Sequence, residues 1–415
     1  MPALSPELAA VFDSFGDEKA SGVTTGISAG ATTEATIPPG KATAWPWIDP
    51  TKIPRRQWLY ATHIIRGFVS VLIAPGGSGK SSLTIAEILE MVTGKAMLTD
   101  KPRPPLRVWY YNLEDPLDEI NRRIAAACIP YKITEADIGG RLFVDSGRDR
   151  PLVLAKPDKR GALEFDEGVF GWLISEIEAR KIDVLVIDPT KRAHRLAEND
   201  NTAMDALVER LGVLAHKTDS AIGLVHHTKK MGGGEITTES SRGGSAFTDA
   251  VRTARTLNVM SKEEAEKAGV TDDRRRYFRV YPDKVNMAPP PDASQWYRLE
   301  SVHLPNGPDG ALGDSVGVCM PWAWPDAFAG LTAASLLAVQ RRIDGERWRK
   351  APQSSNWIGK AVAEVLGFDL EREPDKAKVR TLIAAWLKSG ALKVVEHDDE
   401  QRRPREFVEV GEWAT

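Results

Sequence analysis

From Gly67 onward the chain alternates two kinds of apolar pattern. Short, nearly continuous apolar runs at 68–74, 106–113, 142–145, 182–187 and 221–226 predict strands. Between them, residues 81–92 place Leu83, Ile85, Ile88 and Leu89 on one side of a helix, and Ile120 and Ile124 mark a second. Residues 165–179 and 202–216 are further amphipathic helices. Strands apolar on both faces, alternating with helices, predict an α/β fold with a central, mostly parallel sheet covered on both sides.

After Arg252 the pattern changes. Residues 254–259, 277–285 and 296–302 alternate apolar and polar positions and predict antiparallel strands appended to the sheet edge. The stretch 307–325 is rich in Gly and Pro and reads as a linker. Two helical patterns, 332–343 and 357–366, precede a third at 375–389. Residues 392–396, a polar turn at 398–404 and residues 407–410 then form a hairpin. Three helices closed by a hairpin is the layout of a winged helix. Residues 16–43 hold almost no large apolar side chains, too few to offset the entropy of ordering, and are expected to be disordered. The expected division is a tail at 1–44, an α/β domain at 45–305, a linker at 306–330 and a winged-helix-like domain at 331–415.

Composition narrows the function classes. The 415 residues are 42% hydrophobic and 27% charged, ordinary for a chain with a large core. A net charge of −3 gives no global basic field, so any nucleic-acid site must be a local patch. Cys128 and Cys319 sit in unlike contexts, outside any CxxC or CxxH cluster, which argues against a zinc site or a disulfide framework. Such low cysteine use fits a reducing, cytoplasmic setting. The sequence offers neither an apolar run of about 18 residues nor a signal-peptide pattern, so no membrane association is expected.

Four sequence stretches carry candidate chemistry. Ala74, Pro75, Gly76, Gly77, Ser78, Gly79, Lys80, Ser81 and Ser82 lie between a predicted strand and a predicted helix. Except for Ala74 in place of the first glycine, they match the phosphate-binding pattern G-x-x-x-x-G-K-[ST]. The glycines let backbone N–H groups wrap a phosphate, Lys80 reaches the β- and γ-phosphates of ATP, and the Ser81 hydroxyl ligates Mg²⁺. The run 184–188 ends in Asp188, a carboxylate at the edge of the sheet beside that loop and a second candidate for Mg²⁺. In the stretch 110–116, Glu114 is the candidate base that orients the attacking water, with Asp115 in support; the competing reading of Asp115 is a helix cap before Pro116. His226 and His227 end another strand and can sense the γ-phosphate. Neighbours on a strand point to opposite faces, so a shared metal is disfavoured.

The loop at 229–244 that follows is too polar and flexible to be core. Arg252, late in a short helical stretch, is either a trans-acting arginine or a surface ion pair, and spacing alone favours the ion pair.

Together these pieces resemble the RecA-like core of plasmid RepA-type hexameric replicative helicases and related phage and prophage ATPases. The pieces are the 74–81 loop, Leu113-Glu114-Asp115-Pro116, Ile187-Asp188-Pro189-Thr190-Lys191-Arg192, His226-His227, Ser241-Arg242-Gly243-Gly244-Ser245 and Arg276-Tyr277-Phe278, spread over about 53–297. The resemblance implies a homohexameric ring with ATP and Mg²⁺ at subunit boundaries and single-stranded DNA in a central channel. It assigns Lys80, Ser81, Glu114 and Asp188 to nucleotide and metal, and His226 or His227 to γ-phosphate sensing. It makes Arg252 a finger acting on the neighbouring subunit, and Lys229, Lys230 and Arg242 the DNA-facing loop. The C-terminal domain departs from the compact members of that group. Lys376, Lys378 and Arg380 on its third helix, and Arg402, Arg403 and Arg405 at the wing tip, are where such a domain touches a duplex. Basic and acidic residues nearly balance there, so a solvated face on a protein-binding module is the competing reading. Three other functions compete with the helicase: a recombination-mediator ATPase, an ATP-switched DNA-binding regulator, and a small-substrate kinase.

Overall fold

The computed structural model describes residues 43–197, 200–228, 237, 248, 250–288, 294–398 and 403–414. The tail expected to be disordered falls outside this set up to residue 42, as does nearly all of the 229–244 loop. Among the described residues, those from 43 to Pro54 belong to one unit and those from Arg55 onward to another. In the first, the Asp49 carboxylate accepts the Thr51 N–H at 2.9 Å and caps a 3₁₀ turn, Pro50–Lys52. Trp45 and Trp47 meet edge to face and are exposed.

The second unit opens with a short hairpin, β1 (Trp58–Tyr60) and β2 (Ile64–Ile65). Strand β3 (Val69–Pro75) leads through a glycine loop into α1 (Lys80–Thr93). Then come β4 (Val108–Asn112), α2 (Leu117–Cys128), α3 (Glu135–Ile138) and β5 (Leu142–Ser146). A small hairpin, β6 (Ala155–Pro157) with β7 (Leu163–Phe165), precedes α4 (Glu167–Arg180), β8 (Val184–Asp188), α5 (Asn201–Lys217) and β9 (Ala221–Thr228). Further along the chain come β10 (Thr253–Val259), α6 (Lys262–Ala268), β11 (Tyr277–Val285), β12 (Gln295–His303) and β13 (Ser315–Pro321).

One nine-stranded sheet collects these strands in the order β13-β12-β11-β10-β3-β9-β8-β4-β5. From β5 to β10 they run parallel, and β11, β12 and β13 continue antiparallel. Side chains alternate between two cores, as the two-residue period of a strand demands. Val69, Val71 and Ile73 of β3, with Trp109 and Tyr111 of β4, pack under Phe170, Leu173, Leu207 and Leu211 of α4 and α5. Val108 and Tyr110 face the opposite way, toward Ile85, Ile88 and Leu89 of α1. The sheet is therefore covered on both faces, as the apolar runs predict.

Two expectations are corrected. Strand β10 joins the sheet parallel to β3, so the antiparallel part starts one strand later than its alternating pattern suggests. The stretch read as a linker at 306–330 contains β13, which pairs with β12 along its whole length from Tyr297↔Pro321 to His303↔Ser315. Only Val318 and Cys319 of β13 are buried, and Gly and Pro residues surround it, so its sequence carries little strand signal.

Residues beyond 330 carry a core of their own. Helices α7 (Ala333–Ile343), α8 (Ile358–Leu366) and α9 (Glu373–Ser389) enclose Val339, Trp357, Val362, Leu382 and Trp386. The hairpin of β15 (Leu392–Asp398) and β16 (Pro404–Val410) closes them, joined by a short third strand, β14 (Trp348–Arg349). Helix α9 rests on α6. Gly269 is needed at that seam: its φ is +64°, and a Cβ there would lie 2.6 Å from the Pro374 Cα.

Candidate active site

The C-terminal ends of β3, β4, β8 and β9 lie side by side. In register, Asn112 pairs with Asp188, Ile73 with His226 and Ala74 with His227. The topology thus gathers the 74–81 loop, Glu114, Asp188 and both histidines at one edge of the sheet.

The loop itself has the form its glycines predict. Ala74 lies within β3 and is not among the residues with positive φ, so the missing first glycine costs no backbone strain. Gly77 and Gly79 have φ of +73° and +95°. A Cβ on Gly79 would approach the Phe278 ring to 3.1 Å, so that position needs glycine for both reasons. A Cβ on Gly76 or Gly77 would meet nothing within 4 Å, leaving that side of the loop open for a ligand. Ser78 Oγ donates to Pro75 O at 2.7 Å and closes the turn. Helix α1 starts at Lys80, with its unpaired N-terminal N–H groups facing the loop. Ser82 Oγ donates to Gly317 O at 2.7 Å, so β13, in the expected linker, braces the phosphate-loop helix.

Lys80 and Asp188 are both withdrawn from water, at 6% and 1% exposure. Burial pushes the Lys80 ammonium down from its ordinary range, opposed by Asp188 and Glu114. Burial pushes the Asp188 carboxyl up, opposed by Lys80 and by hydrogen bonds from Tyr110 and Ser81. Ser81 Oγ lies 3.1 Å from Asp188 Oδ2. A hydroxyl and a carboxylate side by side are hard oxygen donors of the kind Mg²⁺ takes, and the lysine with the open glycine loop suits phosphate. The residues present therefore fit Mg·ATP.

Glu114 follows β4, with its side chain 46% exposed and Arg192 Nη2 at 3.9 Å from Oε1. Its backbone is held firmly: Asn112 Oδ1 accepts the N–H groups of Glu114 and Asp115 at 3.0 and 2.9 Å, and Arg148 Nε donates to Glu114 O at 2.8 Å. Asp115 does not cap the following helix. Pro116 occupies the cap position, and the Asp115 carboxylate instead takes Arg123 Nη1 at 2.8 Å. His226 is buried and His227 partly so, at the end of β9.

Arg252 is exposed and immediately precedes β10. Because Thr253 pairs with Ser70 near the start of β3, Arg252 sits at the end of the sheet opposite the phosphate loop. Five strand residues separate the Ser70 and Pro75 levels, about 17 Å. That is too far for this side chain to reach its own subunit's loop.

Part of the expected DNA-contacting set, Lys229, Lys230, Arg242 and Arg402, falls outside the described residues. On α9, Lys376 pairs with Glu373 at 3.1 Å, the Lys378 ammonium sits 4.9 Å from the Phe368 ring centre, and Arg380 is exposed. Arg403 and Arg405 are exposed beside the β15–β16 turn.

The residue reading passed over Tyr110, Asn112 and Arg123 as site residues. Tyr110 Oη donates to Asp188 Oδ2 at 3.0 Å, and Asn112 Nδ2 donates to Tyr110 Oη at 3.0 Å. Their spacing of two along a strand that ends at the edge was a signal that they share a face. An open, polar cleft of about 650 Å³ also adjoins α1, lined by Ser82, Arg122, Arg123 and the start of β13. Residues 36–233 match a protein family described as an AAA domain, a span that reaches from before β1 into the loop after β9. The match supports a P-loop ATPase, and the 74–81 loop, Glu114 and Asp188 all fall inside the matched residues. Among the described residues, no helix is long and apolar enough to cross a membrane.

Proposed function

We propose that this ATPase is a DNA motor: a ring-forming replicative helicase that translocates on single-stranded DNA, of plasmid, phage or prophage type and cytoplasmic. The observation that carries the reading is the split of the site. The phosphate loop, Asp188 and Glu114 sit at one end of the sheet, and Arg252 lies exposed at the other. A second copy that brought its Arg252 to this loop would complete the site, and such a head-to-tail contact, repeated and closed, makes a ring.

Within one subunit, the backbone N–H groups of 76–80 and the Lys80 ammonium bind the phosphates. Ser81 and Asp188 would hold Mg²⁺, which would supply neutralisation of phosphate charge. The Glu114 carboxylate orients a water and takes its proton. Its exposure and its single long contact with Arg192 leave it free to do so. His226 or His227, next to the loop in register, reports the γ-phosphate to the 229–244 loop, whose Lys229, Lys230 and Arg242 meet the DNA backbone. The C-terminal winged-helix-like region is an accessory duplex- or protein-binding module.

The test is ATP turnover with and without single-stranded DNA, followed on the same sample by separation of a forked duplex. Stimulation with unwinding is expected. Stimulation without unwinding points to a recombination mediator, and no response to DNA points to an ATP-switched regulator.

A further inference from the structure

Asn112 and Tyr110 stand between the two carboxylates of the site and touch both sides of it. Asn112, 3% exposed, is the last residue of β4. Its amide cannot be turned round without loss. Oδ1 accepts two backbone N–H groups, those of Glu114 and Asp115, so the NH₂ end must face Tyr110. Tyr110 Oη accepts that N–H, and its single proton is therefore committed to Asp188 Oδ2. Tyr110 is fully buried and Asp188 nearly so, which removes competing water from every link. The result is one directional chain. It runs from the backbone of the Glu114 turn through Asn112 and Tyr110 to the Asp188 carboxylate, with every hydrogen pointing toward that charge. Leu113 N–H adds a direct backbone link to Asp188 O at 2.7 Å.

We propose that Asn112 and Tyr110 are a positioning pair that sets the Glu114 turn relative to the metal-side carboxylate Asp188, so that water activation is tied to the state of the Mg²⁺ site. The proposal rests on the ATPase roles given above to Glu114 and Asp188. Ser81 and Tyr110 share the same oxygen, Oδ2. When Ser81 turns to a cation, Tyr110 keeps the carboxylate's orientation, and through Asn112 the Glu114 turn keeps its place.

The simpler account is that Asn112 only caps its own turn. Two substitutions separate the accounts. Asn112→Asp keeps an acceptor for the Glu114 and Asp115 N–H groups, so a mere cap survives, but it removes the donor to Tyr110 and sets a second negative charge beside it. Tyr110→Phe removes one hydroxyl and leaves the ring packing. Thermal melting of the full chain checks that each variant folds.

If the pair positions the turn, both variants lose kcat by roughly 10–100-fold, the size seen for partners one step behind a catalytic ligand, while KM for ATP stays within about twofold. The double variant then loses little more than either single one. Wild-type kcat in a folded Asn112→Asp, or additive losses in the double variant, overturns the proposal. Glu114→Gln, assayed alongside, tells which claim has failed. If it abolishes turnover while the pair is silent, only the positioning role is lost; if it too is silent, the assignment of Glu114 falls.

Discussion

At the ends of β3 and β8 a lysine and a carboxylate are taken out of water, whereas in the C-terminal three-helix region the lysines stay in it. Lys80 and Asp188 are almost inaccessible and each is shifted against its own charge by burial. By contrast, Lys376 and Glu373, Lys350 and Glu406, and Arg342 with Glu346 and Glu364 are partly or well exposed pairs. Burying a charge is costly unless something compensates it, so two buried ionisable groups each shifted against its charge mark a place kept for chemistry. Exposed pairs cost little and contribute little. The same residue types thus carry different information at the two places. A third case sits between them: Arg255 of β10 makes two hydrogen bonds to Glu87 of α1, 2.6 and 2.9 Å, deep under the phosphate-loop helix. There the charge is buried but fully paired, which is the signature of structure.

The comparison can be broken most sharply at the site. Arg252→Ala should lower DNA-stimulated kcat by about 10³–10⁵-fold if it acts across subunits. Mixing it with Lys80→Ala chains should restore part of the activity, since each supplies what the other lacks. Normal turnover by Arg252→Ala alone would sink the ring mechanism. Glu114→Gln should cost about 10²–10⁴-fold in kcat with nucleotide binding retained, measured by turnover and by equilibrium titration.

Stability sharpens the contrast between buried groups. Arg255→Met leaves buried Glu87 with only the His63 ring, its Nε2 3.7 Å from Oε1, and should destabilise by about 3–5 kcal/mol in denaturant titration, whereas replacing both Arg255 and Glu87 with apolar residues should recover most of that. Asp188→Asn should do the reverse: it should raise the melting temperature of the nucleotide-free protein while removing Mg²⁺-dependent turnover. The sign follows from the raised carboxyl. In the window above the ordinary carboxylate value the folded state holds a proton that the unfolded chain has released, so stability falls as pH rises through it. The gain from Asp188→Asn should therefore be larger at pH 7 than near pH 4, about the ordinary carboxylate value. The smallest effect belongs to the surface: Lys376→Ala should change stability by less than about 1 kcal/mol and leave turnover unchanged. If it weakens duplex binding in a salt-dependent way, the C-terminal region touches DNA after all.

Hydrophobic period alone specified most of the ATPase fold. Strands β3, β4, β5, β8 and β9 and helices α1, α2, α4 and α5 fall within a few residues of where the apolar runs put them, because a strand buried on both faces has to be apolar throughout, whereas the β6–β7 hairpin and the one-turn α3 carry no such run. The phosphate loop was legible for a similar reason: Gly77 and Gly79 occupy backbone conformations that other residues avoid, so glycine itself is the signal. The place of Asp188 at the sheet edge was legible because it ends an apolar strand, and the phosphate-loop pattern upstream, more than the carboxylate itself, singled it out. Strand β13 was not, since an edge strand buries only two residues and its pairing partner, β12, decides where it lies. Nor was the parallel entry of β10, because alternation reports which face is buried and not which direction the neighbour runs. Tyr110 and Asn112 read as sheet residues until the register of β4 against β8 brought them to Asp188. Sequence fixes what each residue can do locally, through its period, its permitted φ and its charge. Which residues meet across strands, and whether a charge is buried or solvated where they meet, is a property of long-range packing, and only the tertiary structure decided it.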